Sequence, residues 1–369
     1  MSELSLIDEV ISHLRLGGIL LKKEVYGSGH INDTYLLEFE VFQMGSIRVI
    51  LQKMNSDIFR YPEKLMENIV GVTTHLRKKI IDQGGDPERE TLNVIPTIDG
   101  KNFYVDSKGG YWRAYKFITG ATSFDKVERV NDFYEAAVAF GRFQNLLADY
   151  NAESLHETII GFHDTIWRFD QLLEAIKEDK MKRVLHVEKE TEFAMQRKQM
   201  TLLFPELLKK KEIPLRVTHN DTKLNNIMID DKSRKGICVI DLDTVMPGLA
   251  MFDFGDSIRF GASSAAEDEV DLDKVWCDLE LFELYVKGYM KGCEGKLTRR
   301  EIELMPMGAI VMTFECGMRF LTDYLNGDQY FKVHRENHNL DRCRTQFKLV
   351  SDMEHKWDEM CAIISKYNK

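Results

Sequence analysis

Asp221, Asn226 and Asp241 each stand where a short apolar run meets a polar loop, and together their types suit one chemistry. Val217 leads into Thr218-His219-Asn220-Asp221, Asn226 opens the run Ile227–Ile229, and Asp241 closes the run Ile237–Ile240. Asp230-Asp231-Lys232-Ser233 between the two runs reads as a turn, so the segment is a strand, a polar loop and a hairpin. Moving a phosphoryl group onto a hydroxyl needs a carboxylate that positions the hydroxyl and accepts its proton. It also needs an amide and a second carboxylate to hold magnesium. A histidine two residues before Asp221 and an asparagine five after it match the catalytic-loop spacing for that reaction, and Asp241 follows at the end of a strand. Asp221 is therefore assigned as the catalytic carboxylate, and Asn226 and Asp241 as ligands of Mg2+. The competing account is two Asx-rich turns around a hairpin.

Two other motifs are set aside. Asp253-Phe254-Gly255 spells a familiar metal-binding tripeptide, but it lies more than thirty residues past Asp221 and off the end of the hairpin strand. Asp253 is expected to anchor the catalytic loop or start a helix. His334-Arg335-Glu336-Asn337-His338 is not H-E-x-x-H and is not read as a metal site.

The elements that must position these groups divide by composition. Leu4, Ile7, Val10, Ile11 and Leu14 give a first amphipathic helix, followed by strands over Leu20–Tyr26, Thr34–Phe39 and Ile47–Met54. Between the first two strands, Gly27, Gly29 and Asn32 lie in a turn whose backbone N–H groups can cover phosphates, with Asn32 where a third glycine would stand. No Walker A sequence occurs, which argues against a P-loop NTPase. The third strand offers Lys53 as the cation for the α- and β-phosphates, with Glu67 on the Pro62–Lys78 helix as its partner. Strand phase leaves a second possibility, with Gln52 at the nucleotide and Lys53 on the solvent side. Tyr111–Ile118 is a further strand ending at a Thr119-Gly120 hinge. Its backbone near Tyr115 and Phe117 would face an adenine edge, unless it is an ordinary edge strand. Beyond it the pattern is helical, with long helices at Val130–Leu147, Leu272–Lys291 and Arg299–Leu325. The expected fold is α+β with two lobes: a small, mainly antiparallel β lobe over residues 1–118 that binds nucleotide, and a helical catalytic lobe over residues 119–369.

With 369 residues, 44% apolar and 30% charged, the chain has the make-up of a globular protein large enough for two lobes. A formal charge of −10 argues against nucleic acid or an anionic membrane as partner. Six cysteines without a C-x-x-C pair, an N-terminus without a signal-peptide layout, and no apolar run long enough to span a bilayer lead to the expectation of a cytoplasmic protein.

Through these residues the chain resembles the aminoglycoside phosphotransferase family, the small-molecule branch of the protein-kinase-like fold. The resemblance runs from the Gly27–Tyr35 turn through Asp256. It rests most heavily on His219–Asn226, Val239–Gly248 and Phe314–Tyr330. It implies ATP as phosphoryl donor with Mg2+, and its most specific strings imply a branch whose acceptor is the anomeric hydroxyl of N-acetylglucosamine or N-acetylgalactosamine. By the same resemblance the sugar contacts fall on Asp221, Thr244, Arg319 and Tyr330. Those residue types suit a neutral polyol, because an arginine can fork onto two hydroxyls, a threonine can give or take one bond, and a tyrosine adds a flat face. The departure is at the third strand, where Gln52 precedes Lys53. The alternatives are a kinase of the same fold acting on another sugar, an aminoglycoside, choline or a homoserine-like alcohol, or a nucleotide-binding module without catalysis. Intact Asp221, Asn226 and Asp241 count against the last. The expected partners are ATP and a small sugar, with no nucleic acid and no membrane, and the chain is a monomer or a homodimer.

Overall fold

Leu6, Ile7 and Val10 are buried on one face of α1 (Glu3–His13), and Leu14 just past its end, against a sheet whose strands alternate apolar and polar side chains. In chain order α1 is followed by β1 (Ile19–Val25), β2 (Asp33–Val41), β3 (Gly45–Lys53), α2 (Pro62–Asp82), α3 (Pro87–Glu90), β4 (Val94–Ile95), β5 (Tyr104–Val105), β6 (Tyr111–Lys116) and β7 (Ala121–Thr122). Next come α4 (Val130–Leu146), α5 (Thr165–Glu178), α6 (Glu188–Gln196), α7 (Met200–Lys209), β8 (Arg216–Thr218), β9 (Ile227–Asp230) and β10 (Gly236–Val239). The chain ends in α8 (Ala250–Gly261), α9 (Leu279–Cys293), α10 (Arg299–Glu303), α11 (Met305–Leu325), α12 (His338–His355) and α13 (Trp357–Tyr367). The structure, a computed structural model, describes residues 3–27, 31–43, 45–124 and 129–368.

The chain divides into two compact units, the first built from residues 1–122, 149–160 and 228–246 and the second from 123–148, 161–227 and 247–369. The division is not a single cut after residue 118. The β9–β10 hairpin cannot satisfy its outer edge alone, and it pairs with β7 through Ala121↔Asp230 and Thr122↔Ile229. Arg89 of α3 strengthens the join by donating to the carbonyls of Thr119 and Gly120 and pairing with Asp230 at 2.8 Å.

In the first unit the main sheet runs β1-β2-β3-β6-β4, with β5 also on β6, and the paired strands are antiparallel. The register sets Leu51 opposite Tyr35 and Ala114, and Gln52 opposite Thr34 and Arg113. Because side chains alternate, the row holding Leu37, Val49, Leu51 and Trp112 packs on α1, while Gln52 and Arg113 share the other face.

In the second unit α11 packs against α5, α8 and α12, and α4 lies along α9. Two glycines bring α8 and α11 together: a Cβ on Gly255 would strike the carbonyl of Gly308, and one on Gly308 would strike the carbonyl of Met251. Two expected helices are shorter than the periodicity suggested. Residues 272–274 form a separate 3₁₀ turn, and α9 starts only after Asp278, whose carboxylate accepts the N–H groups of Glu280 and Leu281. The long Arg299–Leu325 helix breaks at Leu304 into α10 and α11, with Pro306 in the first turn of α11. Among the described residues no helix is long and apolar enough to cross a membrane.

Candidate active site

β8 delivers the His219–Asn226 loop of the second unit into buried surroundings. His219 is fully buried with the rings of Phe140 and Phe143 edge-on to it at 5.6 and 6.2 Å, and its Nδ1 accepts the N–H of Asp221 at 3.3 Å. The motif histidine is thus scaffold for the loop. Asn220 turns the chain through a left-handed conformation, φ +64°, which asparagine tolerates better than most residues. The loop is then gripped by α8. Asp253 accepts the N–H groups of His219 and Asn220 at 2.9 and 2.8 Å and the Gln144 amide at 3.1 Å, while Asp256 accepts the N–H of Thr222 at 2.9 Å. Ser257 Oγ donates to the Thr222 carbonyl, and the Tyr285 hydroxyl donates to Ser257 Oγ. Asp253 is therefore an anchor of that loop, as its position suggested. Burial pushes its pKa up despite the backbone donors. Asp256 is also buried, but the charges of Arg259 and Lys223 outweigh that burial and hold its carboxyl below the usual range.

Asp221 is left partly exposed at the tip. Its Oδ1 pairs with Lys223 Nζ at 2.7 Å. Asn226 Nδ2 donates to the Asp221 carbonyl at 2.7 Å and to Oδ2 at 3.2 Å. That orients the Asn226 amide, and no donor among the described residues engages its Oδ1. Lys223, which the sequence reading passed over, stays above the ordinary lysine range because Asp221 and Asp256 more than offset its burial.

Farther along the same unit, Arg319 on α11 lies among three aromatic rings, with its guanidinium carbon 5.1 Å from the Phe162 centroid, 5.8 Å from Tyr330 and 5.6 Å from Phe331. No acceptor among the described residues takes a hydrogen bond from it. Tyr330 is placed by Asp323, whose carboxylate collects the N–H groups of Gln329, Tyr330 and Phe331 at 2.8–2.9 Å. A second cation, Arg168, donates to the Phe162 carbonyl, and its pKa is pulled down to about 10 by burial and by the nearby charge of Arg319.

In the first unit, Asp241 lies two residues past β10 in a left-handed conformation, φ +57°, and Thr244 closes the 3₁₀ turn that follows. Between them Asp243 forms a buried ion pair with Arg113 and accepts the Asn32 amide at 2.6 Å. Arg113 Nε donates to Gln52 Oε1 at 3.0 Å, and Gln52 Nε2 donates to Thr34 at 3.1 Å. Burial works against the Arg113 charge, but Asp243 and Asp241 keep its pKa above the usual value.

Two expectations need correction here, and a third alternative is narrowed: Lys53 lies on the opposite sheet face from Gln52, 5.8 Å from the Trp112 ring. The Lys53–Glu67 pair does not form, since Glu67 bonds His156 Nε2 at 2.7 Å. The backbone near Tyr115 and Phe117 does not offer a free edge, because β6 is flanked by β3 and β4. The N–H groups of Lys116 and Phe117 already donate to Asn93 and Arg48. In the glycine turn, Gly27 has φ +80°, Gly29 lies outside the described residues, and Asn32 contributes its side chain, accepting the Asn55 N–H and donating to Asp243.

Asn226 in the second unit offers an amide oxygen and Asp241 in the first a carboxylate, each a hard oxygen of the type Mg2+ takes beside phosphates and water. No group of three or more His, Cys, Asp or Glu side chains fit for a metal ion occurs among the described residues.

The family model described as a phosphotransferase enzyme family (APH) matches residues 24–277, well over half of the chain. Among solved structures, a microcompartment-associated aminopropanol kinase is 15% identical with a TM-score of 0.63, covering 97% of this chain and 98% of that one. An aminoglycoside phosphotransferase from Alicyclobacillus acidocaldarius is 10% identical with a TM-score of 0.61, covering 98% and 96%. A spectinomycin phosphotransferase in complex with ADP and spectinomycin is 12% identical with a TM-score of 0.56, covering 97% and 99%. At these identities the likeness establishes the two-lobe α+β fold.

Proposed function

The chain belongs to the phosphotransferase enzyme family, and we propose that it is an ATP-dependent anomeric kinase that phosphorylates the C1 hydroxyl of N-acetylhexosamines to give the sugar 1-phosphate. The observation that carries this reading is Arg319, whose N–H donors have no acceptor among the described residues while three rings surround it. Such a group calls for a ligand rich in hydroxyl and carbonyl oxygens. Arg168 beside it makes a positively charged amine an unfavourable acceptor, since like charges repel most strongly where water is scarce.

Asp221 takes the proton of the anomeric hydroxyl as the oxygen attacks the γ-phosphoryl group, while Lys223 holds that carboxylate in place. Arg319 and Tyr330 orient the sugar. Asn226 and Asp241 would each offer Mg2+ a hard oxygen, and the ion when bound neutralises charge on the phosphates. The test is ADP release against a panel of N-acetylhexosamines, other sugars, aminoglycosides, choline and aminopropanol, with the new phosphate ester located by NMR. Amino alcohols turning over while the sugars stay inert would refute the assignment.

A further inference from the structure

Phe162 and His163 are consecutive residues whose side chains do different work. The Phe162 ring is one wall around Arg319. His163 Nδ1 lies 2.8 Å from Glu315 Oε1, and its Nε2 lies 3.4 Å from the carbonyl of Asn220, the residue before Asp221. Both ring nitrogens face oxygens, so each contact is a hydrogen bond in which the ring nitrogen is the donor. Glu315 is 1% exposed and its Oε2 has no hydrogen-bond partner. A buried carboxylate oxygen left unpaired is costly and calls for an explanation. Glu315 also lies one helical turn before Arg319 on α11, so a single helix supplies both the guanidinium and the support for His163.

Resting on the anomeric-kinase reading, we propose that His163, held by Glu315, is the positioning residue that sets Asp221 relative to the acceptor. It fixes the Asn220 carbonyl, and with it the left-handed turn from which the Asp221 side chain projects. Through Phe162 the same two-residue segment also sets Arg319. A displacement of the acceptor's anchor is thereby passed to the proton acceptor. His163 acts through the Asn220 carbonyl, so its effect falls on the chemical step.

Two substitutions separate the contacts. His163→Asn places an amide nitrogen near Nδ1, keeping Glu315 and dropping the Asn220 carbonyl. His163→Gln places one near Nε2 and keeps the carbonyl. The expected result is a kcat about tenfold to hundredfold lower for His163→Asn, the scale of a small misplacement of a reacting group. The KM values for ATP and sugar should stay unchanged, and His163→Gln should recover most of the loss. Wild-type kcat in both variants would overturn the proposal. So would a rise in sugar KM with kcat intact, or an equal drop in melting temperature and activity in both, which would mark His163 as structural. A wild-type enzyme inert toward every acceptor would instead sink the kinase reading, and this proposal with it.

Discussion

Arg113 on β6 and Asp243, two residues beyond Asp241, form an ion pair with both side chains almost wholly buried, at 1% and 4% exposure. The pair makes Arg113 the cation of the sheet face that Gln52 shares, and it ties the strand to the turn that carries Asp241. Removing one partner leaves an uncompensated buried charge. Arg113→Met is therefore expected to lower unfolding free energy by about 3–5 kcal/mol, and Arg113→Met with Asp243→Leu to recover part of it. Urea unfolding of the single and double variants measures both. Lys53→Met, on the other face, should leave the KM for ATP unchanged.

Asp221→Asn should lower kcat about 10²–10⁴-fold, the range for losing a general base. Steady-state ADP release with saturating sugar reads it directly, and retained turnover would remove Asp221 from its role.

Asp241 and Asp253 should fail differently. Asp241→Asn is expected to raise the Mg2+ concentration needed for half-maximal rate. Asp253→Asn turns an NH2 group toward one of three converging donors, so about 1–3 kcal/mol of stability is lost. Its Mg2+ half-saturation should stay where it was. Metal titrations beside thermal melts distinguish the two.

Arg319→Lys keeps the charge but loses the planar fork. The sugar KM should rise about tenfold to hundredfold, the equivalent of one charge-assisted hydrogen bond, with the KM for ATP unchanged. A variant that binds sugar as the parent does would point the guanidinium elsewhere.

The acid limb of stability has a named contributor. Despite its burial, Asp256 is held below the usual carboxylate range by Arg259 and Lys223. Its stabilisation is thus full above its unfolded pKa of about 4 and disappears as pH falls through the folded value. Asp253 is shifted up by burial and acts in the opposite sense, its contribution declining as pH rises from the unfolded value of about 4 toward the folded one. Asp256→Asn should lower stability at neutral pH and flatten the decline below about pH 4; a decline as steep as the parent's would contradict this.

What could be read from sequence was what lies close along the chain. His219, Asp221 and Asn226 sit in one loop, and Asp241 lies just past the hairpin that follows, so residue type and spacing were enough to place each on its element. The place of Asp253 was also legible, because its distance from Asp221 ruled out the role its spelling suggested. Lys53 against Gln52 was not, since a one-residue change of phase exchanges the two faces and only the pairing with β6 fixes it. Arg113 meets Asp243 across 130 residues and His163 meets Glu315 across 152, separations over which no local pattern carries information. The role of β7 as partner of the hairpin was hidden for a related reason: two residues are too few to show a period.

The bare crossing of α8 over α11 at Gly255 and Gly308 leaves no room for even one methyl group. Alanine at Gly308 would wedge apart the helix that steadies the catalytic loop and the helix that bears Arg319. A lesion remote from any reacting atom would then imitate an active-site defect, slowing turnover and loosening sugar affinity together. In a screen for inactive variants, that glycine would be mistaken for part of the chemistry.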